Sequence, residues 1–304
     1  MSHRAPHSTA SGLLFAIAGF AILSVGDGVI KSIAGAWPGL AVAALRYVLG
    51  ALGLLLIVLA REGRAGLACP MPWVQLGRGA CVAVATMSFF TALFLMPLAE
   101  ATVVMFTAPV ITALLSALFL REPASRATWA AIAIAFAGVL IVLRPNVATL
   151  GWAALLPLAA ATAMGCLMIL NRMAAEAGSA LHMQLLISAF AAPILVVVAI
   201  AGHASGVEAL EVGWPAWRVV ARCALVAVTA SVAHMLIYLA TTRASAAVTA
   251  PATYVQLLVA GAIGVALFHE RPDLVALGGA ALIIVAGLVL WGAQRRASGA
   301  EAAS

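Results

Sequence analysis

Ten apolar runs, each about 20 residues long and parted by short breaks, dominate this sequence. They cover residues 12–33, 38–60, 74–95, 98–120, 126–143, 151–171, 181–201, 217–240, 246–268 and 273–292, here called spans 1 to 10. A helix of that length crosses a hydrocarbon core of about 30 Å. Inside such a core no water can satisfy a backbone N–H or C=O, so the runs must be helical, and the apolar/polar alternation of a barrel strand is absent. The expected fold class is an all-α integral membrane protein with ten transmembrane helices. The breaks fall at Trp37-Pro38, Cys69-Pro70-Met71-Pro72, Met96-Pro97, Arg121-Glu122-Pro123, Arg144-Pro145-Asn146, Trp214-Pro215 and Arg271-Pro272.

Composition closes off the alternatives. Charged residues make up 9% of the chain and hydrophobic ones 65%, whereas a soluble domain carries about 25% charge to cover itself in water. The lipid bilayer is therefore one partner. The net charge of +6 is spread singly over short loops, with no basic stripe, so nucleic acid is not expected. Cys69, Cys81, Cys166 and Cys223 stand far apart and read as small buried apolar groups; no metal site, disulfide framework or cofactor is expected. Arg4, Leu13 to Val25 and Ala34-Gly35-Ala36 mimic a cleaved leader, but Asp27 and Lys31 interrupt it, so span 1 is expected to be retained.

The chain also repeats itself. A shift of 148 positions lays Phe90 on Tyr238, Ala92 on Ala240, Ala99 on Ala247, Phe106 on Tyr254 and Glu122 on Glu270; one inserted residue then aligns Pro123 with Pro272 and Gly138 with Gly287. The repeats are expected at 12–145 and 151–293, with tails at 1–11 and 294–304. If the N-terminus is cytoplasmic, ten Lys and Arg residues fall inside and five outside, which places both termini in the cytoplasm of a bacterial inner membrane. Five spans per half then force the second half to insert upside down. An inverted repeat of this kind places its substrate site near the midplane, where the halves meet.

Several side chains could serve such a site. Asp27 and Lys31 lie four apart on one helix face and can pair; they are either a substrate-contacting or proton-linked carboxylate with its tuning cation, or a structural ion pair. Arg46 in span 2 could hold a substrate carboxylate in bidentate fashion, or bridge Asp27 and fasten spans 1 and 2. Glu100, just after Pro97, is a helix-start carboxylate or a gate. Glu122 and Glu270 occupy matching repeat positions beside arginines, which argues for a shared capping or pairing task. His234 is the histidine well inside a span and can bond a neighbouring helix or titrate. Tyr254 and Gln256, after Pro251, match Phe106 and Ala108 beside Pro109, where freed carbonyls would lie near the midplane; Phe106, Tyr254 and Gln256 are cavity candidates. Ser88, Phe89, Phe90 and Thr91 are weaker ones. The small-residue pairs Gly50/Gly53, Gly261/Gly264 and Gly278-Gly279 suit close internal packing, with a homodimer seam along spans 5 and 10 as the alternative.

With these residues in view, PLAEATVVMFTAPVITALLSALFLREP (97–123) and LIVLRP (140–145), echoed by TAPATYVQLLVAGAIGVALFHERP (249–272) and AGLVLW (286–291), resemble an EamA-type protein of the drug/metabolite transporter superfamily. Asp27-x-x-x-Lys31, Leu45-Arg46-Tyr47, His234 and Tyr254-x-Gln256 resemble a narrower group that contains S-adenosylmethionine-type carriers. The resemblance implies a ten-helix carrier of small organic metabolites that hydrolyses no ATP. The expected function is secondary transport of a small polar metabolite, S-adenosylmethionine-like or amino-acid-like, by alternating access; an exporter of the same superfamily is the alternative. An integral membrane enzyme would need clustered acids, bases or metal ligands, and no such cluster occurs, so no catalytic residue is expected.

Overall fold

The computed structural model describes residues 9–119, 125–174, 177–241, 243, 250–271 and 273–301. The described residues form helices throughout: α1 (Thr9–Lys31), α2 (Gly39–Glu62), α3 (Pro72–Leu95), α4 (Leu98–Met105), α5 (Ala108–Phe119), α6 (Arg126–Leu150), α7 (Leu156–Met173), α8 (Ala180–Ala204), α9 (Trp217–Thr241), α10 (Tyr254–Phe268) and α11 (Leu274–Glu301). Among them, nine stretches are long and apolar enough to cross a membrane, α4 and α5 together counting as one. This is a multi-pass all-α membrane protein. Trp73, Trp152, Trp214 and Trp217 stand exposed near helix ends, where amphipathic rings favour the membrane–water boundary.

The expected ninth span, 246–268, is seen as a 3₁₀ turn, Ala250–Thr253, followed by the 15-residue α10. Residues 244–249, Glu122 and Pro272 lie outside the described residues. The expected break at Arg144-Pro145-Asn146 is no break. α6 runs through it to Leu150 and ends at Gly151, whose φ of 57° suits a residue without a side chain. Proline is tolerated inside a membrane helix because neighbouring helices satisfy the carbonyl it frees; Pro193 within α8 is a second case. The C-terminal tail expected from 294 instead continues α11 to Glu301.

Span 4, expected as one helix over 98–120, is interrupted. It is cut at Phe106-Thr107 into α4 and α5, and span 9 begins as a 3₁₀ turn before α10. Pro109 and Pro251 sit at the start of the segments that follow, where a missing N–H costs nothing.

The packing pairs helices of the first half with helices of the second: α1 with α9, α2 with α8, α3 with α7, α4 with α10, and α6 with α11. Close approach is bought by absent side chains. A Cβ on Gly138 of α6 would lie 2.8 Å from the Gly279 carbonyl of α11, and one on Gly279 would lie 2.8 Å from the Gly138 carbonyl. The α6–α11 seam is thus an internal contact of this chain, while Gly278 faces open space. At the centre, Ile30, Val42, Phe90, Leu93, Leu98, Leu195, Cys223 and Ala260 share one buried apolar cluster contributed by both halves.

Candidate functional site

Where α1, α2, α3 and α9 meet, the packing leaves a cavity of about 30 Å³. Its walls are Leu23, Gly26 and Asp27 from α1, Arg46 from α2, Phe90 from α3, and Val226, Thr229 and Ala230 from α9. It exists because small residues face one another: a Cβ on Gly26 would lie 3.4 Å from Thr229 Oγ1.

Two opposite charges line this void. Asp27 is fixed by α10, whose Gln256 Nε2 donates to Asp27 Oδ2 at 3.2 Å. Gln256 is held in turn, since Ser24 Oγ of α1 donates to its backbone carbonyl at 2.9 Å. The Arg46 guanidinium lies over two rings, 4.6 Å from the Tyr47 centroid and 5.7 Å from that of Phe90. Tyr47 is positioned by Thr86 Oγ1, 3.2 Å from its hydroxyl. Arg46 Nε is buried and has no hydrogen-bond partner among the described residues. A buried donor without an acceptor costs free energy, and an arriving acceptor would recover it.

The pairings expected for Asp27 require correction. No ion pair within 4.0 Å joins Asp27 to Lys31 or to Arg46; Lys31 Nζ instead meets Glu270 Oε1 at 2.6 Å and donates to the Met96 carbonyl at 2.5 Å. The reason lies beyond the helix. His269 caps α10 in the left-handed region, with φ of 53°, and the Glu270 N–H bonds back to the Gly264 carbonyl at 3.0 Å. That turn lays the Glu270 carboxylate over Gly264, a place that a Cβ on Gly264 would occupy. From there Glu270 accepts the Leu98 N–H at 2.9 and 3.1 Å, capping the start of α4, and draws Lys31 to itself. Lys31 is also 5.5 Å from the Phe268 ring. Asp27 is thereby left facing the cavity with a neutral partner.

The other candidates lie apart from the cavity walls. Phe106 and Tyr254, aligned by the repeat, touch each other across the α4–α10 crossing, with centroids 5.8 Å apart at 58°. The Tyr254 hydroxyl donates to the Ile284 carbonyl of α11 at 3.1 Å. His234 is exposed one turn beyond Ala230, its Nδ1 2.7 Å from the Ala230 carbonyl oxygen. Glu100 occupies the first turn of α4 and is half-buried. Of the weaker group, Phe90 lines the cavity, while Ser88 and Phe89 are buried in the packing and Thr91 donates to the Met87 carbonyl at 2.7 Å. Nothing in the sequence marks Gly26, Thr229 and Ala230 as cavity walls, because small residues on an apolar helix carry no signal of what they border.

Residues 10–144 match the family model described as the EamA-like transporter family. The first half of this chain is an EamA-type transporter domain. Two S-adenosylmethionine uptake transporters, from Rickettsia bellii and Rickettsia felis, are each 26% identical to it over 77% and 78% of this chain, and over 78% and 77% of their own lengths. A riboflavin transporter from Rhizobium johnstonii is 33% identical over 114 residues, 38% of each chain. A crystal structure 20% identical to this chain superposes with a TM-score of 0.60, covering 95% of this chain and 99% of the other, which extends the shared fold across both halves. The EamA domain and these relatives make the chain a small-molecule transporter rather than an enzyme.

Proposed function

We propose that this protein is a secondary carrier of the bacterial inner membrane that moves a small zwitterionic metabolite, of the amino-acid or S-adenosylmethionine kind, through the Asp27–Arg46 cavity. The observation that carries the reading is the separated charge pair: a carboxylate and a guanidinium border one void, unpaired with each other, and the guanidinium keeps a buried Nε without an acceptor among the described residues. An ammonium or sulfonium group suits Asp27 and a carboxylate suits Arg46, which can bind it bidentately. Riboflavin, the solute named for one partial relative, carries neither ammonium nor carboxylate, so the charge pair favours the solute named for the longer matches.

The repeat reading, 12–145 against 151–293 inverted, is supported by the helix pairings. Exchanging the first helix of each half, the second of each, and so on turns the α1–α9 contact into α7–α3 and the α1–α10 contact into α7 with α4 and α5, while α2–α8, the α4–α10 crossing and α6–α11 map onto themselves. Alternating access is supported by size. A cavity of about 30 Å³ admits a water or two, whereas a metabolite needs several hundred. The halves must therefore part to load and unload, with both termini on the cytoplasmic side.

Ligand-induced stabilisation of the detergent-purified protein tests the reading. At 100 times its dissociation constant a bound solute adds about 2.7 kcal/mol, so a zwitterion of this class should raise Tm by several degrees. The same solute lacking either its ammonium or its carboxylate should raise it far less. Equal stabilisation by all three forms would remove the charge pair from the site.

A further inference from the structure

We propose that two polar clasps between the halves, one at each end of the bundle, are the gates of the transport cycle; the proposal rests on the transporter reading above. At one end, Lys31 meets Glu270 at 2.6 Å, and Glu270 accepts the Leu98 N–H at 2.9 Å. Beside them Arg222 Nη1 donates to the Ser32 carbonyl at 2.8 Å, and Trp37 Nε1 donates to the Gly213 carbonyl at 2.9 Å. Each of these bonds joins a residue of the first half to one of the second.

The other end carries a counterpart made of different residues. Arg78, 5% exposed, donates through Nε to Asn171 Oδ1 at 2.7 Å and through Nη1 to Gln75 Oε1 at 2.5 Å. Ser179 Oγ donates to Glu62 Oε1 at 2.7 Å, and His182 Nε2 lies 2.6 Å from the Ala68 carbonyl oxygen. Arg78–Asn171, Ser179–Glu62 and His182–Ala68 again cross between the halves.

The two clasps have one plan. In each, an arginine from the first two turns of the third helix of one half reaches the end of the first helix of the other: Arg78 of α3 to Asn171 of α7, and Arg222 of α9 to Ser32 just beyond α1. In each, the connection after the second helix of one half bonds the approach or first turn of the second helix of the other: Ala68 to His182 of α8, and Gly213 to Trp37 before α2. A fold made of two equivalent halves inserted in opposite senses builds the same latch twice, facing opposite ways. The cavity is lined by the helices that the two latches tie together. Parting one set while the other holds would open the Asp27 cavity to one side only. Single hydrogen bonds and one ion pair, set beside the apolar packing of the same ends, suit a contact made and broken every cycle. Lys31, Glu270, Arg222, Arg78 and Asn171 are on this view gating residues that touch no substrate.

Cysteine labelling tests the clasps without a known solute. A protein freed of Cys69, Cys81, Cys166 and Cys223 carries Thr229→Cys as a reporter in the cavity wall and is sealed into vesicles. A separate Trp214→Cys protein marks which side holds the Glu270 end. A membrane-impermeant maleimide is applied from each side in turn. Glu270→Gln with Lys31→Met should raise reporter labelling about tenfold from the marked side, the population shift expected for one lost charge-assisted bond. Arg78→Met should raise it by a like factor from the opposite side. Asn171→Leu, a milder lesion for which monodisperse elution confirms folding, should act as Arg78→Met does. Labelling that rises from the same side in both sets, or in neither, overturns the proposal. Counterflow in the same vesicles keeps the two readings apart: side-specific labelling without exchange of any zwitterion supports the clasps and sinks the solute assignment.

Discussion

Asp27→Asn isolates the charge at the centre of the site. Asparagine keeps the shape and leaves Oδ1 to accept the Gln256 Nε2 bond, 3.2 Å long in the native protein, so the α1–α10 tie should survive. What disappears is the negative charge facing the cavity. A hydrogen bond to a charged group contributes about 1.5–3 kcal/mol. At about 1.4 kcal/mol per factor of ten, the variant should bind the zwitterion roughly 10- to 150-fold more weakly. Equilibrium binding of labelled solute to purified wild type and variant measures this directly. The decisive comparison uses a second ligand, the same solute without its ammonium group. Wild type should lose affinity for that analogue by a similar factor, and Asp27→Asn should lose almost nothing further, because the partner charge is already gone. Arg46→Gln should behave in the mirror sense toward an analogue whose carboxylate is esterified. An Asp27→Asn protein that binds the zwitterion within about twofold of wild type would refute the argument, since no lost charge-assisted contact is that small.

Other consequences concern packing. Gly264→Ala places a methyl where the Glu270 carboxylate lies, so Tm should fall by the equivalent of about 1–3 kcal/mol, and the loss should shrink in the Gly264→Ala, Glu270→Gln double variant. Gly279→Leu should abolish recovery of monodisperse protein, because its Cβ meets the Gly138 carbonyl at 2.8 Å, whereas Gly278→Leu, with nothing within 4 Å, should elute like wild type. Tyr254→Phe removes the hydroxyl that bonds the Ile284 carbonyl but keeps the ring against Phe106, and should cost about 1 kcal/mol in thermal unfolding without changing solute affinity.

Much of this architecture is written in the pattern of breaks. Apolar runs of membrane-crossing length leave only helices, and the 148-residue register pointed to Phe106 and Tyr254 as equivalent positions. Their rings touch across the α4–α10 crossing, as the proposed two-fold relation between the halves asks of equivalent residues near its axis. Asp27, Arg46 and Gln256 stood out as polar groups in apolar spans, and the structure gathers them at one place. The partner of Lys31 could not be read. Helical spacing offers Asp27, and only the left-handed turn at His269 and the gap over Gly264 bring Glu270 within reach. The continuity of α6 through Pro145 was equally hidden, because a proline that ends a helix in water can be carried through one in lipid. The cavity walls of Gly26, Thr229 and Ala230 depend on which helix faces which, a property of the packed halves rather than of any one segment.

Counterflow in proteoliposomes tests the central claim most directly. Vesicles loaded with unlabelled S-adenosylmethionine and diluted into a trace of the labelled compound should take up label saturably, and amino-acid zwitterions supplied in excess outside should compete. Uptake should vanish when the interior is empty and drop at least tenfold with Asp27→Asn, in line with the loss of one charge-assisted contact. Undiminished exchange through a folded Asp27→Asn, Arg46→Gln protein would contradict the account, as would a wild-type protein that exchanges only solutes without paired charges.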